Sequence, residues 1–209
     1  MKLICFDMDN TLIHSDRAHA EAFNGALYKM GYDKIPVRLI KSLFGRPKSE
    51  VSHILLGTKD KRKIKQALEL HDFYLSKTSK YTTKVQGIVG LLKRLKKKYE
   101  LAVVSNSSHR NILLLLKAAG IDKNLFDVVV GYDDVRHSKP YPDEIIKAEK
   151  LSHLDVKYMV GDSVYDIRAG RKARVKTIAV LTGNYSRKTL RHEKPNHIVK
   201  SVVDIERYL

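Results

Sequence analysis

Leu3-Ile4-Cys5-Phe6-Asp7-Met8-Asp9-Asn10-Thr11-Leu12 is the stretch on which the reading of this 209-residue chain turns. An apolar run that stops abruptly at charged residues has the pattern of a short strand buried on both faces. Here the run ends in two carboxylates. Residues two apart in an extended chain point the same way, so Asp7 and Asp9 can address one substrate from the edge of a sheet. The first can attack while the second moves protons.

Working outward, the same grammar recurs. Leu101-Ala102-Val103-Val104 opens onto Ser105-Asn106, and Tyr158-Met159-Val160-Gly161 delivers Asp162-Ser163, with Asp166 four residues after Asp162. Lys139 sits among turn-formers in Ser138-Lys139-Pro140-Tyr141-Pro142-Asp143. From residue 85 onward, predicted strands at 101–105, 126–131, 157–161 and 176–181 alternate with predicted helices near 86–98, 107–119, 142–152 and 163–173. Such alternation implies a parallel sheet with helices on both faces. With strand 2–7 it predicts a doubly wound, Rossmann-like α/β fold. His197-Ile198-Val199 adds a short strand, and Ser201 is placed to cap a last helix through Tyr208. Ligands of open α/β sheets sit beyond the carboxyl ends of the strands, where strand order reverses, so these distant polar groups are expected to share one crevice.

Residues 14–82 follow another period. Ala18, Ala22, Ala26, Leu27 and Met30, then Ile64, Ala67, Leu68, His71 and Leu75, keep helical spacing, and no strand is evident. The chain is therefore divided into a core, residues 1–13 and 83–209, and a small inserted helical domain, residues 14–82. The crossings near Ile13-His14 and Thr82-Thr83-Lys84 make a natural hinge.

Composition bounds the alternatives. The single cysteine, Cys5, permits no internal disulfide. No apolar stretch approaches the roughly 20 residues of a membrane-spanning helix, and Asp7 and Asp9 end the first apolar run too early for a signal peptide. A soluble cytoplasmic protein is expected, with monomer and dimer both open. The net charge of +17 and pI of about 9.8 raise the question of a nucleic-acid partner. Against it, Lys93-Arg94-Leu95-Lys96-Lys97-Lys98 closes a predicted helix, where cations suit the macrodipole, and Lys59-Asp60-Lys61-Arg62-Lys63 opens another. Neither is interleaved with stacking aromatics, and there is no tryptophan. The basicity reads as a solvated surface that would gather anionic substrates.

The four motifs, in this order, closely resemble those of the haloacid dehalogenase superfamily, and the insert is similar to the helical cap of its small phosphatases, the phosphoglycolate phosphatase and β-phosphoglucomutase-like type. The resemblance implies that Asp7 is a nucleophile forming an aspartyl-phosphate and that Asp9 is the general acid-base. Phosphatases of the superfamily carry this second acid; its dehalogenases do not. Mg²⁺ is the implied cofactor, held by Asp7, Asp162 and the main-chain carbonyl of Asp9. Asp166 would serve the metal through a water or orient Lys139, while a first-turn helix acid explains it equally. Ser105, Asn106 and Lys139 would hold the phosphoryl oxygens, helped by main-chain N–H groups where Asn106-Ser107-Ser108 opens a helix. No Cys/His cluster has zinc spacing.

Within the cap, Phe44-Gly45-Arg46-Pro47-Lys48-Ser49 resembles a substrate-facing loop, making Arg46 and Lys48 candidates for specificity; a plain inter-helix turn with a helix start at Pro47 accounts for the same residues. His19 resembles a hinge histidine, with a partly exposed helix histidine as the alternative. Tyr185, Arg187 and Lys188 read as surface. The expected function is a Mg²⁺-dependent phosphatase of a small phosphorylated metabolite, phosphoglycolate-like or a sugar phosphate. Phosphomutase, pyrophosphatase and nucleotidase are the near alternatives, and a basic nucleic-acid-associated protein is one from another class.

Overall fold

The computed structural model describes residues 1–209. Its centre is β1 (Lys2–Phe6), which pairs in parallel with β4 (Tyr99–Ser105) on one side and β6 (Val156–Gly161) on the other. β5 (Val128–Gly131) extends the sheet beyond β4, while β7 (Lys176–Val180) and β8 (His197–Val199) extend it beyond β6. The order is β5-β4-β1-β6-β7-β8. The chain winds outward from β1 in one direction and then in the other, so the reversal lies at β1 itself. A crevice opens at such a point, and Asp7 stands in it.

The pleat divides the core. Ile4 and Phe6 belong to one apolar cluster with Leu91 and Leu92 of α5 (Ile88–Leu95) and Ile112, Leu115 and Leu116 of α6 (His109–Ala118). Leu3 and Cys5 point the other way, into a cluster with Ile145 and Ala148 of α7 (Asp143–Ser152) and Ala169 of α8 (Val164–Lys172). Alternate residues of one strand thus anchor both helical layers, which is why the run tolerates no polar residue before Asp7.

The insert is helical: α1 (Asp16–Lys29), α2 (Val37–Lys41), α3 (Lys48–Leu56) and α4 (Lys61–Thr78). Ala20, Phe23, Ile40 and Val51 form one apolar centre, and Leu27, Leu56 and Ala67 a second. Asp60 caps α4 by accepting the Arg62 N–H at 2.8 Å. After β7, the short α9 (Arg187–His192) precedes β8.

Several boundaries differ from the sequence reading. The two crossings are a ribbon rather than bare linkers: β2 (Ile13–His14) pairs antiparallel with β3 (Thr83–Lys84). Two-residue strands leave no periodicity to read. α6 starts at His109, not 107, because the Ser107 N–H turns back to the Ser105 hydroxyl at 3.1 Å and Ser108 takes the cap position. The last segment, Val202–Tyr208, is a 3₁₀ helix; at its start the Ser201 N–H donates to the Asp204 carboxylate at 3.1 Å, and the Ser201 hydroxyl does not cap. No helix is long and apolar enough to cross a membrane.

Phe6 is fully buried directly before Asp7. Phe6→Ala is expected to cost about 3–5 kcal/mol of stability, read as a lowered midpoint in urea unfolding; an unchanged midpoint would show that β1 does not anchor the core.

Candidate active site

Each strand end delivers one part. Asp7 leaves β1 with its N–H bonded to the Val160 carbonyl of β6 at 2.8 Å, so the carboxylate is fixed by the sheet rather than by a loop. Asn10 then takes a left-handed conformation (φ 58°), which asparagine adopts more readily than most residues, and the chain turns toward the cap. Ser105 ends β4. Gly161 ends β6 and hands on to Asp162, with Asp166 in the first turn of α8. Asp7, Asp9, Ser105, Asn106, Lys139, Asp162 and Asp166 border one cavity, lined from the cap side by His19, Phe44, Arg46 and Lys48.

Lys139 is the pivot. Its ammonium is 2 % exposed and donates to Asp7 Oδ1 at 2.7 Å, Asp166 Oδ1 at 2.7 Å and the Val104 carbonyl at 2.9 Å. All three of its protons are spoken for. Burial alone would favour the neutral amine, but Asp166 and Asp7 hold it charged, with its pKa raised above the ordinary lysine value. Asp166 has no free oxygen either: Oδ2 accepts from the Ser163 hydroxyl at 2.6 Å and the Ser163 N–H at 3.0 Å. It is both the helix acid of the plain reading and a holder of Lys139.

Oxygens of Asp7, Asp162 and Asp166 lie within 4.8 Å of one another. Burial, opposed by Lys139 and reinforced by Asp166 and Asp9, pushes the Asp7 carboxyl up to about 8. Burial together with Asp7 and Asp166 lifts Asp162 well above the ordinary range. Neither Asp162 oxygen has a side-chain partner, and Gly183 presses against it: a Cβ there would stand 1.7 Å from Asp162 Oδ2. An all-oxygen, strongly anionic cluster of this kind fits a hard divalent cation.

Asp9 is differently held. Its Oδ1 accepts from the Ser15 hydroxyl and lies 3.1 Å from His19 Nε2, and its Oδ2 accepts from the Ser107 hydroxyl at 3.3 Å. Burial raises its pKa, but His19 and Ser15 outweigh that and hold it at about 2. Two carboxylates two residues apart are thus set in opposite environments: without a divalent cation beside it Asp7 tends to keep its proton, while Asp9 is ionised.

The remaining sequence candidates fall as follows. Asn106 donates from Nδ2 to the Lys139 carbonyl at 3.3 Å, and its Oδ1 is buried without a partner. The Ser107 N–H is occupied by Ser105, so it is not free for an anion. His19 is buried rather than partly exposed, because its ring sits between Asp9 and the cap interior. Arg46 is tied to Glu50 at 2.7 Å along α3, and Lys48 reaches Asp72 at 3.4 Å; both still border the cavity. Tyr185 is not simply surface: Gly45, at φ 93°, lets the cap loop lie on its ring, and a Cβ at Gly45 would come within 2.7 Å of it. The side chains of Ser15, Ser107, His71 and Asp72 were not recognised from the sequence as parts of the site, although Ser107 stood in a predicted helix start and His71 in a helical period. Only Ser107, beside Ser105, lay next to a recognisable motif.

The family model for haloacid dehalogenase-like hydrolases matches residues 4–180. Among curated proteins, the chain is 32% identical over 190 residues to a phosphoglycolate phosphatase from Aquifex aeolicus, covering 88% of this chain and 86% of that one. It is 27% identical over 208 residues to pyrophosphatase PpaX of Oceanobacillus iheyensis, covering 98% and 95%. A hydrolase from Pseudomonas syringae superimposes with a TM-score of 0.84 at 22% identity, over 98% of this chain and 96% of that one, a likeness of fold. Strand order, carboxylate cluster and family match converge: the chain belongs to the haloacid dehalogenase-like hydrolases and is a phosphatase of that superfamily.

Proposed function

We propose that the chain hydrolyses a small phosphate monoester in two steps through an aspartyl-phosphate on Asp7. The observation that carries this reading is the pairing of Asp7, whose Oδ1 is engaged by Lys139 while Oδ2 has no hydrogen-bond partner, with Asp9 at the same cavity mouth, gripped by Ser15, His19 and Ser107. The free oxygen of Asp7 attacks phosphorus as the bond to the leaving oxygen breaks. Asp9, ionised before substrate binds, must first take up a proton, which it delivers to that oxygen before taking one from the water that cleaves the acyl phosphate. Ser105 and Asn106 border the cavity where the phosphoryl oxygens would lie, with Lys139 completing the neutralisation.

Mg²⁺ fits the donor set. Asp7 and Asp162, with the Asp9 carbonyl, would hold it, and Asp166 would act through Lys139 and any bound water, since both its oxygens are engaged. When bound, the ion offsets the repulsion between carboxylate and phosphate.

For the substrate, the cavity holds about 70 Å³ open to water, room for a few water molecules, at ~10–15 Å³ each. A cavity of this size favours a small leaving group. Arg46 and Lys48 on its cap side favour one that carries its own negative charge, as phosphoglycolate does. Inorganic pyrophosphate is a second reading, favoured by the relatives named pyrophosphatase PpaX, because its leaving group is also a small anion.

Purified protein with Mg²⁺ and a panel of phosphoglycolate, sugar phosphates, nucleotides and pyrophosphate should release phosphate from small anionic compounds most readily. Asp7→Asn should abolish turnover with the fold intact; turnover comparable to wild type would sink the aspartyl-phosphate. Asp9→Asn should lose about 100-fold or more on a substrate with a poor leaving group.

The raised Asp7 pKa gives a further expectation. The folded state keeps a proton that the unfolded carboxylate, with a pKa of ~3.9, gives up, so without metal this group destabilises the fold as pH rises from there through about 8. Metal binding must expel that proton. Mg²⁺ should therefore raise Tm more at pH 8 than at pH 6, with proton release measurable by calorimetry in two buffers. An equal shift at both pH values would contradict the assignment. Gly183→Ala, which drives a methyl into Asp162, should remove most of the Mg²⁺-dependent gain in Tm; a full gain would exclude Asp162 as a ligand.

A further inference from the structure

A line of hydrogen bonds leaves Asp9 and runs through the interior of the cap. His19 of α1 has Nε2 at 3.1 Å from Asp9 Oδ1 and Nδ1 at 3.2 Å from Nε2 of His71 in α4. His71 Nδ1 lies 3.0 Å from Asp72 Oδ1. That same oxygen accepts from Asn111 Nδ2 of α6 at 2.7 Å and from Lys48 at 3.4 Å. Both ends of the line rest on the core, at Asp9 and Asn111, and its middle belongs to the cap.

The two imidazoles are parallel to within 4°, with centroids 5.3 Å apart. At that separation, with a nitrogen of each ring 3.2 Å from the other, they meet edge to edge, so the lone pair of one lies along the N–H of the other. Phe23 packs on the His71 ring with centroids 4.3 Å apart, and His71 is fully buried. The ring has no room to turn.

The polarity of the line follows from its far end. Burial raises the Asp72 carboxyl, but His71, Lys48 and Asn111 outweigh it and keep the group ionised, so Asp72 can only accept. His71 therefore carries its proton on Nδ1. Burial and the Lys48 charge push its imidazole down to about 3, so it stays neutral and offers a lone pair at Nε2. That lone pair requires a proton on His19 Nδ1, and the bond between His19 Nε2 and Asp9 Oδ1 then needs one proton more, held between the imidazole and the carboxylate. One tautomer choice, made at Asp72, fixes the next.

We propose that His71 and Asp72 are positioning residues for the acid-base carboxylate: anchored to the core through Asn111, they lock the ring of His19 against Asp9, so that the closed cap itself aligns Asp9. This inference rests on the reading of Asp9 as the acid-base group. Neither residue touches the cavity; neither is among those that border it. The contribution of His71 runs through His19, while Asp72 also holds Lys48 at the cavity edge.

The test compares a poor leaving group, an alkyl phosphate, with a good one, p-nitrophenyl phosphate, in wild type, Asp9→Asn, His71→Phe and Asp72→Ala, all with Mg²⁺. His71→Phe preserves ring packing against Phe23 while deleting both hydrogen bonds. A misaligned acid matters when the leaving oxygen needs a proton. Both cap variants should therefore lose about 10- to 100-fold in kcat on the alkyl phosphate, a portion of the ~100- to 10,000-fold that acid-base catalysis supplies. The first-turnover burst of p-nitrophenol should stay near wild type, and KM should move little in His71→Phe, which leaves the Lys48–Asp72 pair in place. A merely structural role would lower both rates alike, and that outcome, or alkyl-phosphate turnover at wild-type level, overturns the inference if Asp9→Asn shows the leaving-group dependence. An Asp9→Asn variant indifferent to the leaving group would overturn the acid-base reading itself, and the inference with it. Independently of folding in the variants, long-range ¹⁵N spectra of wild type should report His71 with the proton on Nδ1 and a bare Nε2; the opposite tautomer overturns the proposed polarity.

Discussion

The buried ammonium of Lys139 is the constraint on which the rest of this site depends. Asp7, Asp162 and Asp166 bring carboxylate oxygens within 4.8 Å in an interior from which water is largely excluded. Without a cation such a cluster would disperse or take up protons, because like charges in low dielectric repel strongly. Lys139 lies between Asp7 and Asp166 at 2.7 Å from each, and its third proton goes to the Val104 carbonyl. It therefore ties β1, the end of β4 and the start of α8 into one unit. The geometry is specified three times over, which a surface ion pair never achieves.

That arrangement still leaves the cluster short of positive charge. The upward displacement of Asp7 and Asp162 expresses the shortage, and a divalent cation with oxygen ligands is the natural remedy. Asp9 stands outside this economy of charge. Its partners come from the hinge and the cap, Ser15 and His19, and from the turn after β4, Ser107. A carboxylate proposed to shuttle protons is thus held largely by the cap, while the one proposed to attack is held by the sheet.

The cap closes on the core through contacts on two sides of the cavity. Asn111 meets Asp72 on one, and Tyr185 receives the Gly45 loop on the other. Both involve polar or aromatic surface rather than a continuous apolar seam. Between them lies the two-residue ribbon of Ile13-His14 and Thr83-Lys84, through which the chain passes from core to cap and back.

Much of this was legible in the sequence, for physical reasons. A parallel strand buried on both faces must be apolar to its last residue, so Leu3 to Phe6 announced both the strand and the sheet, and the polar residue that ended each run marked a position in the crevice. Alternation of such runs with amphipathic helices pointed to the α/β class, and the change of period at residues 14–82 pointed to helices there, where α1 to α4 lie. Asp7, Asp9, Ser105, Asn106, Lys139, Asp162 and Asp166 could be named as candidates because their backbone neighbours carry the pattern. Pairing was beyond the sequence. That Lys139 grips Asp7 and Asp166, that Gly183 leaves room for Asp162, that Tyr185 seats Gly45 and that His71 and Asp72 stand behind His19 depend on which helix faces meet. Local period determines the element and its buried face; the packing of elements far apart in the chain, decided by the whole core at once, determines which side chains come within hydrogen-bond reach.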